Sequence, residues 1–248
     1  MFVNLIGIVS MSKKIALMVT GLTRTYKQTY ESFHKHLLLP NHEKIDLFLC
    51  LWDHTHLRRM DYNKGQKLYE IKDKSIANID DVLKHYNPKD YTILKTNNYT
   101  EEINSTLQYV LSKKNPPEQG KEYIRNGVIS QALCWNKCLE MLGDKEYNII
   151  VKSRFDLEHN SDIKIDIKKE DENSITCPSG PRYYGTHGFD DRFFFGDFSS
   201  MKKLLSIYNH FKNCEKLESL ILEREIKSFL AKEGIKIKTK NLDVEIKR

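Results

Sequence analysis

The stretch IDLFLCLWD, residues 45–53, constrains this chain most. An unbroken apolar run between two aspartates leaves no polar face, which is the pattern of a strand covered on both sides in a parallel sheet. IALMVTG, ending at Gly21, and the strand 147–152, whose residues Ile149 to Lys152 run straight into Arg154 and Asp156, have the same character. Between these runs, apolar and aromatic residues recur at helical spacing, at 26, 30, 33 and 37 and again at Ile124, Val128, Ala132, Trp135 and Leu139. Strands alternating with helices imply right-handed crossovers, a parallel or mixed sheet and a ligand crevice at the carboxyl ends of the strands.

The remaining elements follow from the same signals. YTILK at 91–95 reads as a third strand, and helices are predicted near 78–86, over 101–112 and over 121–142. Residues 55–90 otherwise form a charged excursion, and 158–172 a polar loop. Two helices close the chain. Met201, Leu204, Leu205 and Tyr208 mark the first; Leu217, Leu220, Ile221, Phe229 and Leu230 mark the second, with Gly234 as its C-terminal cap and IKIKT as a last strand. No repeat or low-complexity linker interrupts this pattern, so residues 14–248 read as one domain behind an N-terminal extension, 1–13.

Composition narrows the partners. A length of 248 residues is enough to bury a sizeable core. The formal charge of +6 favours anionic ligands, but lysines and glutamates are interspersed, as on a solvated surface rather than a nucleic-acid tract. Five cysteines form no C-x-x-C pair, and their odd number argues against a disulfide framework and for a reducing compartment. Cys134 and Cys138 share a helical face as apolar core residues. The opening MFVNLIGIVS is too short to span a bilayer, and its lysines follow the apolar run instead of preceding it as in a signal peptide; Met11 offers a second start.

Four constellations lie where such a sheet places its ligands. In T-G-L-T-R-T, residues 20–25, a glycine permits a close turn, and Arg24 with the N–H groups of a helix start suits a phosphate; an ordinary strand-to-helix turn is the other reading. W-D-H-T-H, 52–56, offers Asp53 or Trp52 to a base or ribose, or Asp53, His54 and His56 to a metal. S-R-F-D, 153–156, places a carboxylate that either holds a divalent cation, touches a sugar hydroxyl or pairs with Arg154 at the surface. G-F-D-D-R-F-F-F-G, 188–196, sets two adjacent acids before an aromatic strand, where one serves as a base or both serve a turn.

Taken in order, G-x-x-R-T, D-L-F-L-C-L-W-D, Y-N-I-I-V-K-S-R-F-D-L and D-D-R-F-F-F-G-D resemble a family of glycosyltransferase-A-like proteins found in bacterial capsule or lipopolysaccharide loci and in large DNA viruses. The resemblance covers most of residues 14–240. It implies a single Rossmann-like α/β domain, with a mixed, mostly parallel sheet and helices on both faces, that binds a nucleotide-sugar and works in the cytoplasm of a bacterium or an infected cell. Gly21, Arg24 and Thr25 match the positions that meet the donor diphosphate, and Asp53 closes the second strand near the nucleoside. Asp156 matches the last carboxylate of a D-x-D motif that holds Mn2+ or Mg2+. The first D-x-D position is Arg154, so either Asp156 shares a metal with Asp190, Asp191 or His187, or Arg154 itself neutralises the phosphates.

The resulting expectation is transfer of a sugar from a nucleotide-sugar donor to a hydroxyl of a glycan or protein acceptor, with no nucleic-acid partner and no transmembrane segment. Asp191 is the expected general base and Asp190 the second choice; Glu223 and Glu225 read as helix-surface charge rather than as an acceptor wall. The alternative is a noncatalytic nucleotide-sugar or glycan-binding module, which the loss of the first D-x-D acid favours.

Overall fold

The computed structural model describes residues 14–54, 77–114, 124–143, 147–166, 168, 171–179 and 188–247. Most of the charged excursion after residue 54 lies outside these residues, as do His56 and His187.

The described chain is α/β. Seven strands form one mixed sheet in the order β3-β2-β1-β4-β7-β6-β8. Its parallel half comprises β1 (Ile15–Gly21), β2 (Ile45–Trp52), β3 (Asp90–Leu94) and β4 (Ile149–Arg154). β7 (Phe194–Asp197) runs antiparallel to β4 and to β6 (Ser174–Pro178), and β8 (Lys236–Lys240) returns parallel to β6. A separate antiparallel pair joins β5 (Leu157–His159) to β9 (Val244–Ile246).

The apolar runs lack a polar face because both faces of the sheet are covered. Ala16 and Met18 of β1 and Phe48, Cys50 and Trp52 of β2 point into one core. That core is closed by α3 (Thr96–Lys113), α4 (Ser130–Leu142), α5 (Phe198–Leu205), α6 (Ile207–Asn213) and α7 (Leu222–Lys232). Ile15, Leu17 and Val19, with Leu47, Leu49 and Leu51, point the other way, onto α1 (Tyr26–Phe33) and α2 (Ile79–Tyr86). Truncating one of these leucines to alanine costs about 2–5 kcal/mol, because such a packed site collapses only in part. The ends of α2 are local sequence chemistry: Asn78 accepts from the Asp81 N–H, and Asn87 leaves the helix at φ 42°.

Several boundaries move from those expected. α3 starts five residues before Glu101, at Thr96, and the helix expected from 121 opens with a wide turn over Ile124–Ile129. The first closing helix breaks at Ser206 into α5 and α6. Leu217, Leu220 and Ile221 precede α7 rather than belonging to it, and β5 ends within the expected polar loop. β5 and β9 are three residues each, too short for a period-2 pattern to announce them. Gly234 does cap α7, at φ 70° and with its N–H on the Ala231 carbonyl.

Strand order positions the site. From β1 the chain adds β2 and β3 on one side, then crosses back to lay β4 on the other, so β1 and β4 diverge at a topological switch point. Thr20 is level with Arg154 in the β1–β4 register. Gly21 to Arg24 and Phe155 to Asp156 therefore leave the sheet side by side. The reversed strand β7 begins where β4 ends, Phe194 facing Lys152, which brings residues 190–192 to the same edge.

Candidate functional site

Asp156 is the centre of the switch-point cluster. It is 2% exposed, and its two oxygens accept from two arginines. Arg24 Nη2 lies 2.5 Å from Oδ2, while Arg154 reaches Oδ1 through Nε and Oδ2 through Nη2, each at 2.8 Å. Burial pushes the Asp156 carboxyl up, but the charges and hydrogen bonds of Arg154 and Arg24 outweigh it and hold the pKa at about 2. The Arg154–Asp156 pair read as a surface salt bridge is thus present but buried. It belongs to a triad of two guanidinium groups on one carboxylate beside the end of β1.

The turn after β1 leaves room beside the triad. Gly21 adopts φ 113°, and a Cβ there would meet no atom within 4 Å. A side chain would be strained by the backbone rather than by crowding. Thr25 is buried at the start of α1, where its hydroxyl lies 3.5 Å from the Lys247 carbonyl. The backbone of Lys247 also donates to the Asp156 carbonyl, so the β9 segment ties the two loops together.

Asp53 lies apart from this triad. Its Oδ1 accepts from the Thr96 N–H at 3.3 Å and the Thr96 hydroxyl at 3.1 Å, at the start of α3, and lies 3.0 Å from His54 Nδ1. Burial raises its pKa, yet those hydrogen bonds bring it below the usual carboxylate range. It serves as an anchor of α3 at the edge of the crevice.

The two adjacent acids separate in environment. Asp190 is 0% exposed and clamped by Arg192, with Nε at 2.8 Å and the backbone N–H at 3.0 Å from Oδ1. That closed loop spends both Asp190 oxygens on its own neighbour. Asp191 keeps a freer carboxylate, with Oδ2 accepting from Gln131 Nε2 of α4 at 2.5 Å.

Lys152 stands under this segment, a residue the sequence hides inside an apolar run. It is 0% exposed, its Nζ donates to the Asp191 carbonyl at 2.5 Å, and it lies 5.0 Å from the Trp135 ring centroid and 5.4 Å from that of Phe194. Burial lowers its pKa to about 7. An amine on the strand that donates to the carbonyls of Asp191 and Arg192, between two aromatic faces, fixes where Asp191 sits.

Glu223 and Glu225, expected at the helix surface, are buried at 7% and 0% exposure. Glu225 is structural: it accepts from Ser219 N–H at 2.7 Å and Glu218 N–H at 2.9 Å and pairs with His210 Nε2 at 2.9 Å. Burial, then the Asp191 charge, raise the pKa of Glu223 to about 7. The helical stripe of α7 does not reveal this, because what covers its first turn comes from other parts of the chain.

Both Asp156 oxygens are taken by guanidinium groups, Asp190 is held by Arg192, and among the described residues no group of three His, Cys, Asp or Glu could ligate a metal. His54 has Asp53 and the Thr96 hydroxyl as its neighbours, each at 3.0 Å. A cavity of about 650 Å³ opens at the amino end of β2, between Tyr30, His34, His85 and Lys89, on the opposite edge of the sheet. Its charged members Asp46 and Lys89 pair at 2.6 Å. Among the described residues no helix is long and apolar enough to cross a membrane. No protein-family model matches the chain, and neither does any curated protein sequence.

Proposed function

We propose that the chain is a glycosyltransferase that moves a sugar from a nucleotide-sugar donor to a hydroxyl of a glycan or glycoprotein acceptor. The observation that carries this reading is the Arg24–Asp156–Arg154 triad beside the open turn at Gly21. Two forked donors at a strand-end crevice suit a pyrophosphate, which guanidinium groups bind in bidentate fashion. The mixed sheet with helices on both faces agrees with the glycosyltransferase-A domain that the resemblance implies. Five free, buried cysteines accord with a cytoplasmic setting.

In this mechanism the bond between the anomeric carbon and the diphosphate breaks, and the nucleoside diphosphate leaves with the electron pair. Arg24 and Arg154 stabilise the negative charge that develops on it, the task a metal would otherwise perform. Asp191, oriented by Gln131 and by Lys152 beneath its backbone, takes the proton of the acceptor hydroxyl as that oxygen attacks the carbon from the opposite face, with inversion. Asp190 holds the turn in shape through Arg192.

A second reading is a noncatalytic nucleotide-sugar-binding module, favoured by the occupation of Asp156 and Asp190 by arginines. A thermal-shift screen with UDP-, GDP- and dTDP-sugars, each with and without manganese, tests the common core of both readings, since a ligand that binds only the native state raises its melting temperature. A metal-independent shift with one nucleotide class is expected. No shift with any donor refutes the site. Slow hydrolysis of the bound donor then separates the enzyme from the module.

A further inference from the structure

Lys247, just past β9, meets both arms of the switch-point site with the backbone of one residue. Its N–H donates to the Asp156 carbonyl at 2.9 Å, and its carbonyl accepts from the Thr25 hydroxyl in a long contact of 3.5 Å. The first bond reaches the loop that follows β4 and carries Asp156; the second reaches the turn that follows β1 and carries Arg24. Two further ties join the β4 loop to α1. Thr29 Oγ1 donates to the Phe155 carbonyl at 2.5 Å, and the Ser32 hydroxyl accepts from the His159 N–H at 3.2 Å. Those act on the body of the helix, whereas Lys247 reaches Thr25 at its cap, next to Arg24. Lys247 is placed there by strand pairing. β5 begins at Leu157, directly after Asp156, and β9 runs antiparallel to it with Ile246 opposite Leu157; the Lys247 Nζ also meets Glu158 at 2.6 Å.

We infer that Lys247 is a positioning residue for the diphosphate contact: its peptide groups hold the Arg24 turn against the Asp156 loop, so anion binding at the arginines and docking of β9 on β5 strengthen each other. This rests on the reading of the triad as a diphosphate site. An anion binds more tightly where its donors are fixed beforehand, because ordering them then costs no entropy at the moment of binding. Arg24 follows Gly21, whose φ of 113° belongs to a residue with wide backbone freedom, so an external tie on this turn has something to restrain. The coupling is reciprocal. Whatever factor the Lys247 contact adds to anion affinity, a bound anion adds to the stability of that contact. The C-terminal strand thus acts as a strap on the site: loosening it from β5 weakens the anion contact, and a bound diphosphate tightens it.

Lys247→Pro in the full chain tests this, since proline has no N–H to give the Asp156 carbonyl. Ile246 ahead of it is already in a strand, the conformation favoured before proline. Lys247→Ala is the control, because it keeps the peptide N–H and removes only the partly exposed pair with Glu158. Affinity for inorganic pyrophosphate, read by calorimetry, should fall about fivefold in Lys247→Pro, the effect of losing about one hydrogen bond, and stay within about twofold in Lys247→Ala. Unchanged binding by Lys247→Pro, or an equal loss in both variants, overturns the positioning role while the diphosphate reading stands. Should Lys247→Pro fold poorly, amide exchange in the wild-type chain decides. Saturating pyrophosphate should slow exchange of the Lys247 N–H about fivefold, by reciprocity, and leave the Gly143 N–H at the end of α4 unchanged. Identical Lys247 exchange with and without the anion, or equal slowing at both amides, overturns the coupling. A wild-type chain that binds no pyrophosphate refutes the diphosphate site itself, and the positioning role falls with it.

Discussion

Arg24 and Asp156 meet at 2.5 Å although 132 residues separate them, and they do so because β1 and β4 are neighbours whose loops leave the sheet at one level. Arg154 completes the arrangement from the same carboxylate. Removing that anion takes from both guanidinium groups the buried carboxylate they share. Asp156→Ala should therefore lower stability by about 3 kcal/mol, the low end of the cost of breaking a buried ion pair, because both arginines are partly exposed. Urea denaturation with and without pyrophosphate checks this: the anion should recover part of the loss by replacing the carboxylate. A midpoint that moves in neither condition contradicts the triad.

The same carboxylate sets an acid limit. Its native pKa of about 2 lies below the ordinary 3.8, so the unfolded chain takes up the proton first as pH falls. This contribution is complete above pH 3.8 and lost as pH drops toward 2. Asp156→Asn should flatten that portion of a stability-versus-pH curve.

Arg24→Lys tests the geometry of the proposed phosphate contact. Lysine keeps the charge but loses the fork, and a bidentate site does not tolerate that exchange. Nucleoside-diphosphate affinity, read by calorimetry, should fall about tenfold or more, equivalent to about 1.4 kcal/mol. Equal affinity would mean that Arg24 acts only as a point charge or not at all.

Asp191→Asn separates chemistry from binding. The amide preserves shape but cannot accept the acceptor proton, so turnover should drop by about 10² or more while donor affinity holds. Gln131→Leu should produce a smaller loss in the same parameter, because Gln131 only orients the carboxylate. Wild-type turnover in Asp191→Asn would transfer the base assignment elsewhere.

His159 predicts a second acid sensitivity, away from the site. It is 0% exposed between Phe33 and Phe193, and neither ring nitrogen has a partner. Burial, then the charge of His36, depresses its pKa from 6.5 to about 4. The unfolded chain protonates first, so stability is complete above pH 6.5 and declines as pH falls toward 4. About 2 kcal/mol should be lost between pH 7 and pH 5 through this residue alone. His159→Phe should remove that slope in denaturant midpoints; an unaltered slope would assign it to other groups.

The sequence by itself determined the central strands and the edge of the sheet at their carboxyl ends. β1, β2 and β4 are legible because a strand covered on both faces must be apolar throughout, and the polar residues that end each run, from Gly21 to Arg24 and from Arg154 to Asp156, mark its carboxyl end. Only the tertiary structure decided which of those residues touch. Asp156 joins two arginines, Asp190 is consumed by Arg192, Asp53 turns to Thr96, and Lys152, which looks like an interruption of an apolar run, supports the Asp191 backbone. Glu223 reads as solvated charge on α7 and becomes a buried acid, because its surroundings come from β4 and the segment ahead of β7, more than 30 residues away. Periodicity reports which face of an element is apolar; it carries no information on which distant group will cover the rest, and burial together with a neighbour's charge is what gives a carboxylate its chemistry.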